Sequence, residues 1–140
     1  MYTVKEAAEL LNLTDHTIRY YTDKELIPNL KRDQHNNRLF DKESLNWLLC
    51  VKHLRQCGMS LEDIKTYVNL CLKGDSTVKQ RYNIMRKQQA RALAQLEEAR
   101  QRAAYIEEKA NHYFDFIRGK LPDELDSEKW DISKGACKET

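Results

Sequence analysis

Residues 14–26 read TDHTIRYYTDKEL and decide the fold, because they are typical of a capped helix with two different faces. The Thr14 hydroxyl is placed to accept a hydrogen bond from an otherwise unpaired amide of the first turn, with apolar Leu13 outside it as a staple. At 3.6 residues per turn, Ile18 and Tyr21 share a face that we expect to pack on a core. The other face holds Asp15, His16, Arg19, Tyr20 and Asp23.

That polar face suits base edges and phosphates in a major groove, since it offers a guanidinium, a phenol, an imidazole and short hydrogen-bonding groups near a helix N-terminus. An ordinary amphipathic surface helix has similar features, so the preceding residues matter. Thr3 and Glu6 form a capping-box pattern and open an apolar run, which predicts a first short helix ending near Asn12. Two short helices joined at residues 12–14 match the dimensions of a helix-turn-helix.

Residues 2–28, YTVKEAAELLNLTDHTIRYYTDKELIP, resemble the N-terminus of a MerR-family transcriptional regulator, above all in TIRYY and LIP. The resemblance implies a mainly α fold, a winged helix-turn-helix domain followed by a long dimerisation helix that forms an antiparallel coiled coil. Two residues depart from the family's pattern: Thr22 replaces a usual acidic residue, and Glu25 replaces a usual Gly. Without that Gly, we expect Lys24 to take the left-handed conformation at the end of the helix.

Residues 28–40 (PNLKRDQHNNRLF) hold polar turn formers between apolar ends and predict a two-stranded hairpin, the wing, with Asn36-Asn37 at its tip. By resemblance, Arg38 contacts DNA phosphates and Phe40 anchors the wing in the core. Taken alone, Arg38 fits a solvated hairpin surface better than a phosphate contact, and the preceding helix-turn-helix pattern reverses that preference. The predicted DNA-binding residues are Lys5, Thr14, Asp15, His16, Thr17, Arg19, Tyr20, Lys31 and Arg38.

Two further helices complete the predicted DNA-binding domain, which we place at residues 1–74. Asp41 is expected to cap a third helix that stops at Gly58, and Ser60 opens a fourth that ends at Gly74. The fourth helix has an inward apolar face on which Cys71 is expected to be a core residue. The phrase GMSLEDI at residues 58–64 also resembles the family's junction between these helices.

Residues 75–119 lack Pro and, before Gly119, lack Gly, which predicts one long helix of roughly 65 Å at 1.5 Å per residue. Its apolar seam alternates spacings of four and three, which is typical of a coiled coil. The seam comprises Val78, Tyr82, Met85, Gln89, Ala92, Leu96, Ala99, Ala103, Ile106, Ala110, Tyr113 and Ile117. We expect all of these except the terminal Val78 and Ile117 and polar Gln89 to mediate homodimerisation. Residues 120–140, with Pro122 and Trp130, form a short tail, and we expect no effector domain.

Composition limits the classes of protein. The 140 residues are 41% hydrophobic, which allows one modest domain with extensions, and the net charge of +2 comes without a basic tail. DNA affinity would therefore depend on locally placed cations, doubled in a dimer. We find no secretory signal pattern and no apolar run of about 18 residues, so we expect a cytoplasmic protein without membrane contact. The four cysteines lack CxxC spacing and are expected to be free thiols.

Helix three offers Cys50, His53 and Cys57 at spacings of three and four. Thiols seven residues apart lie about 10 Å apart along a helix, too far for one tetrahedral Zn²⁺, so we predict no metal and no cofactor. A thiol sensor at Cys57, with Cys50 as second candidate, and inert packing cysteines both remain open. A Cys-His nucleophile lacks an oxyanion-hole loop and an orienting group, so we expect no enzyme.

We therefore predict a DNA-binding transcriptional regulator that binds a two-fold promoter site as a homodimer. By resemblance, it twists an over-long promoter spacer so that RNA polymerase engages, in response to an effector that the sequence does not identify. The alternative is a coiled-coil module whose small N-terminal domain binds protein rather than DNA.

Overall fold

The computed structural model describes residues 1–119 and confirms a mainly helical fold with a wing and a long C-terminal helix. In chain order its elements are α1 (Val4–Leu11), α2 (Asp15–Asp23), β1 (Lys31–Arg32), β2 (Arg38–Leu39), α3 (Lys42–Gln56), α4 (Leu61–Lys73), a 3-10 turn (Asp75–Thr77) and α5 (Val78–Ile117). The predicted tail, including Trp130 and Cys137, lies outside the described residues.

Side-chain caps begin the first four helices at the residues that the sequence predicts. Thr3 and Glu6 form a reciprocal capping box on α1, in which the Glu6 amide donates to the Thr3 hydroxyl and the Thr3 amide to the Glu6 carboxylate. Caps on α2, α3 and α4 are Thr14, Asp41 and Ser60, each of which accepts a hydrogen bond from the amide three residues on. These local bonds determine the residue at which each helix begins.

Among residues 1–119, the buried hydrophobic core lies between Val4 and Val68. Its fully buried side chains include Ile18 from α2, Leu48 from α3 and Ile64 from α4. Phe40 is also fully buried and pairs with Tyr2 through an isolated antiparallel bridge, which confirms that it anchors the wing. The wing and the helix-turn-helix therefore share one core, so the two elements are held as a single surface.

The end of α2 differs from the prediction at one residue. Lys24 has φ −81°, and Glu25 takes the left-handed conformation at φ 59°. The expectation for Lys24 was therefore wrong. Lys24 still closes the last turn, with its amide donating to Tyr20 O, and the chain reverses only at the next residue. Glu25 thus sits in a conformation that favours Gly.

The wing also turns differently from the predicted Asn36-Asn37 tip. Strands β1 and β2 pair antiparallel with Lys31 opposite Leu39 and Arg32 opposite Arg38, which leaves a five-residue turn from Asp33 to Asn37. The Asp33 carboxylate accepts from the amides of His35 and Asn37 and organises that turn. Asn36 does adopt a positive φ of 64°, whereas Asn37 is the closing residue.

The long helix begins later than predicted. Asp75–Thr77 form a 3-10 turn, and α5 runs for 40 residues from Val78. The 3-10 turn forms because the Thr77 hydroxyl donates a hydrogen bond to Leu70 O near the end of α4, and Thr77 is only 4% exposed. Cys71, expected in the core, is only half-buried.

Compact packing divides the chain into Met1–Leu93 and a unit that begins at Ala94. Ile84 and Met85 pack against the N-terminal core, so Met85, a predicted seam residue, is already partly covered within its own chain. No residue of α5 is buried, and Leu96 and Ile106 are 66% and 63% exposed.

The helices within residues 1–119 include none with the length and hydropathy of a membrane-spanning segment.

Candidate nucleic-acid interface

Helix α2 presents a polar face to solvent because its opposite face is locked into the core. Ile18 is 0% exposed and Tyr21 is 8% exposed. The predicted contact residues Asp15, His16, Arg19 and Tyr20 are exposed on the other side, and Thr17 is half-exposed. The hydroxyls of Thr14 and Thr17 are also bonded to each other at 2.8 Å. The predicted contact residues therefore lie on the side of α2 that faces away from the core.

A cation reinforces the C-terminal half of this face. The Lys24 ammonium lies 5.5 Å from the centroid of the Tyr20 ring, within the range of a cation–π interaction. The Tyr20 side chain remains 41% exposed, so the contact covers only part of it. Arg19 is exposed, and none of the ion pairs between described residues involves it.

Arg38 connects the wing to α2 rather than projecting freely. Its Nε donates to the Thr22 hydroxyl at 2.8 Å, and one terminal nitrogen donates to the Asp23 carboxylate at 2.7 Å. The Thr22 hydroxyl in turn donates to Arg19 O. The side chain of Arg38 is only 16% exposed. The two elements of the surface are therefore fixed relative to each other by charge-assisted bonds.

Two carboxylates stabilise the wing. Lys31 donates to Asp41, and this bond, with those from Ser44, holds the pKa of Asp41 well below its usual range. The Asn37 amide is the main cause of the lowered pKa of Asp33. The Lys31 ammonium therefore forms an ion pair within the domain, while its side chain remains 52% exposed. Lys5, the remaining predicted contact, is exposed on α1.

The cysteines of α3 do not converge. Cys57 is exposed and caps the C-terminus of the helix, where its carbonyl accepts from Gln88 Nε2 at 2.9 Å. Cys50 is half-buried, and burial is the main cause of the raised pKa of its thiol, with Cys71 nearby as a further cause. His53 lies 3.4 Å from Gln56 Oε1. Among the described residues, no three His, Cys, Asp or Glu side chains are grouped to hold a metal ion.

Sequence reasoning missed the residues that hold the surface together. Thr22 was noted only as a departure from a family pattern, yet it accepts the Arg38 hydrogen bond together with Asp23. Asp33 could have been found from its place in a polar turn, since an Asp side chain often accepts from the amide two residues on, here that of His35. The partners of Arg38 lie 15 and 16 residues away, and no local pattern indicates them.

Comparison with known proteins identifies the family. The model of the MerR HTH family regulatory proteins matches residues 2–71. The chain belongs to the MerR family. It is a DNA-binding transcriptional regulator of that family, and the alternative of a coiled-coil module without DNA binding is not favoured.

Several MerR-type relatives match beyond this domain. An HTH-type transcriptional regulator of Haemophilus influenzae is 33% identical over 112 residues, which is 80% of this chain and 83% of that protein. The HTH-type transcriptional regulator AdhR of Bacillus subtilis is 34% identical over 90 residues, 64% of each chain. These MerR relatives are transcriptional regulators, not enzymes.

Solved MerR structures have the same fold. HiNmlR, described as a MerR family regulator lacking the sensor domain and bound to promoter DNA, matches with a TM-score of 0.71 and 32% identity over 84% of this chain and 90% of that one. A MerR family transcriptional regulator from Bacillus thuringiensis matches with a TM-score of 0.68 and 31% identity, covering 80% of this chain and 98% of that chain.

Proposed function

We propose that this MerR-family protein binds double-stranded promoter DNA as a homodimer, with one α2 helix in the major groove of each half-site. The observation that carries the proposal is the division of α2 into a fully buried face and an exposed face around Arg19 and Tyr20. A helix that must enter a groove needs such a face on a rigid support. HiNmlR, a relative of the same fold, is described as bound to promoter DNA.

The wing residue Arg38 extends this surface toward the DNA backbone. It uses Nε and one terminal nitrogen within the domain, while a guanidinium has five N–H donors. The remaining donors are available to a phosphate, and the bonds to Thr22 and Asp23 hold them at a fixed place beside α2. Lys31 and Lys5 are proposed as further backbone contacts, because both are exposed lysines of the same domain.

The homodimer is proposed to form through an antiparallel pairing of α5. The exposed seam positions combine large side chains with Ala, which lets two helices approach closely. Leu96 and Ile106 would otherwise hold most of their apolar surface in water, at 66% and 63% exposure. Tyr82, Ala92, Ala99, Ala103, Ala110 and Tyr113 are the further proposed contacts, and Met85 joins them at the edge of its own core.

In this proposal the dimer twists a promoter spacer so that RNA polymerase engages, and an effector shifts the two domains between arrangements. The effector is not identified. Cys57, which is exposed at the end of α3, is the proposed thiol sensor, and half-buried Cys50 is the second candidate.

The test begins with duplexes selected by the wild-type protein from a random library. Arg19→Ala should weaken binding to the selected site by about 1–3 kcal/mol if Arg19 reads a base, with smaller loss on random DNA. Lys73→Ala removes one positive charge from the exposed last turn of α4 and is the matched control. Equal losses for both variants would show that only bulk charge matters and would contradict the proposal.

Arg38 is tested by the salt dependence of binding. Arg38→Ala should weaken binding to specific and random DNA alike and lower the salt slope by about one, because a phosphate contact is lost. Asp23→Asn removes the carboxylate partner but keeps the guanidinium, so its slope should stay at the wild-type value or rise. An Arg38→Ala protein with an unchanged slope would place the wing away from the backbone.

A further inference from the structure

The start of α5 is joined to the DNA-binding domain by polar bonds at two places. The first, which we call the proximal mount, consists of Thr77 and Arg81. The Thr77 hydroxyl lies 2.6 Å from Leu70 O and 2.8 Å from Gly74 O. Arg81 donates from Nε to the Thr77 hydroxyl and from a terminal nitrogen to Gly74 O, each at 3.1 Å.

The proximal mount satisfies groups that a helix end leaves unpaired. The last carbonyls of α4 have no partner within the helix, and the dipole makes that end negative. The Thr77 hydroxyl and the Arg81 guanidinium supply hydrogen-bond donors, and in the case of Arg81 a positive charge, to these carbonyls. Because Thr77 is 4% exposed, its hydroxyl would lose these acceptors if α5 left the domain in a different direction.

The second place, the distal mount, lies seven residues further along α5. Gln88 Nε2 donates to Cys57 O at the end of α3, across 31 residues of sequence. Arg91 lies 3.4 Å from the Asp63 carboxylate in the first turn of α4. Seven residues of helix rise about 10 Å. One attachment leaves a helix free to swing, whereas two attachments about 10 Å apart on different helices fix its direction.

Packing alone does not hold α5 at the distal mount. A cavity of about 120 Å³ lies between α4 and α5, and its lining includes Met59, Ile84 and Gln88. Close-packed interiors resist movement because side chains interdigitate, and a void removes part of that resistance. The hydrogen bond from Gln88 consequently carries more of the positioning here than it would in a filled interface.

We propose that Thr77, Arg81 and Gln88 are positioning residues that set the separation between the two DNA half-sites that the dimer accepts. This proposal rests on the proposed function, in which α5 joins two DNA-binding domains. The direction in which α5 leaves each domain then determines how far apart the two α2 helices lie, and half-site spacing is a geometric property of such dimers. None of the three residues touches DNA in this arrangement.

The test measures binding against half-site spacing. The duplex selected by the wild-type protein is synthesised with its spacing unchanged and with one or two base pairs added or removed. The isosteric variant Thr77→Val removes the hydroxyl, and Thr77→Ser retains it. Gln88→Met removes the distal donor at similar volume, and Gln80→Met makes the same change at an exposed position of α5. Circular dichroism and sedimentation confirm that each variant is folded and dimeric.

We expect Thr77→Val and Gln88→Met to reduce the preference for the selected spacing about fivefold, which corresponds to the loss of one hydrogen bond. Their affinity for a duplex holding a single half-site should equal that of the wild type, because α2 is unchanged. Thr77→Ser and Gln80→Met should keep the wild-type spacing profile. A purely stabilising role would lower thermal stability without flattening the profile.

Two results would overturn the inference, and they are distinguishable. Folded, dimeric Thr77→Val and Gln88→Met proteins with the wild-type spacing profile would refute the mounts and leave the proposed function intact. A wild-type protein that selects no two-fold site would refute the proposed function itself, and the mounts with it.

Discussion

Within residues 1–119, the two compact units of this MerR-family chain differ in whether they contain buried side chains. Every buried apolar side chain of the described residues lies between Val4 and Val68, in the unit that ends at Leu93. The described part of the other unit, from Ala94, contains no buried residue. Burial of apolar surface is the main favourable term in folding, so the first unit has its own source of stability. The described part of the second unit has no such interior, and in the proposed homodimer its seam is buried against a second copy of the chain.

The largest effect should come from a charge placed in the α5 seam. Leu96→Glu would bring two carboxylates into a dimer layer that excludes water, at a cost of more than about 5 kcal/mol, so we expect a monomer at micromolar concentration. Sedimentation measures the change, and Gln101→Glu, outside the seam on the same helix, is the control. A Leu96→Glu protein that dimerises like the control would mean that the seam is not the interface.

The same substitution in the two units should separate their sources of stability. Ile18→Ala opens a cavity in a fully buried site and should lower the free energy of unfolding by about 3 kcal/mol at any protein concentration. Ile106→Ala removes an exposed side chain from the monomer, so its effect should appear only through the dimer and vary with protein concentration. Urea denaturation at several concentrations measures both. If Ile106→Ala lowered the free energy of unfolding equally at all protein concentrations, the second unit would not depend on the dimer for its stability.

Within the first unit, Cys50 and Cys57 differ in burial and should therefore differ in thiol reactivity. Cys50 is half-buried and its pKa is raised by burial, so it holds less thiolate near neutral pH, whereas Cys57 is exposed. We expect iodoacetamide to label Cys57 at least about tenfold faster than Cys50, as followed by timed mass spectrometry. Cys50→Ser should leave the rate at Cys57 unchanged. Equal slow labelling of both thiols, together with a normal transcriptional response of Cys57→Ser, would exclude these cysteines as sensors.

The smallest effect is expected at the end of α2. Glu25→Gly removes the backbone strain of a non-glycine residue at positive φ but also removes the exposed ion pair with Lys65. The net effect should be a stabilisation of the first unit by about 0.5 kcal/mol. Glu107→Gly places the same residue inside the α5 helix and should destabilise by about 1 kcal/mol. Urea midpoints at one protein concentration compare them. Destabilisation by Glu25→Gly would mean that the Lys65 contact outweighs the strain.

The contrast between the units also explains what the sequence could predict. Helix starts at Thr3, Thr14, Asp41 and Ser60 depend on bonds across three residues, and all four were predicted correctly. The faces of α2 followed from helical periodicity in the same way. Local chemistry and hydrophobic spacing therefore determine most of the fold.

The misses arise where distant residues compete with a local pattern. The seam pattern through Met85 gives no sign that this side chain also packs against the N-terminal core of its own chain. The start of α5 shifts to Val78 because Thr77 bonds to Leu70, seven residues back, and the tie from Gln88 to Cys57 crosses 31 residues. No short-range signal in the sequence specifies such bonds, so the helix starts and the exposed face of α2 were predictable from the sequence, whereas the long-range bonds between elements were not.

The exposed seam of α5 has a consequence for how abundance controls this regulator. In the proposed homodimer, the exposed seam of α5 is covered only when a second copy of the chain is present. Below the dissociation constant of the dimer, the amount of paired protein rises with the square of the chain concentration. A twofold change in synthesis would then change the paired form about fourfold, so promoter occupancy would respond to expression level more steeply than the dose itself, even before any effector is present.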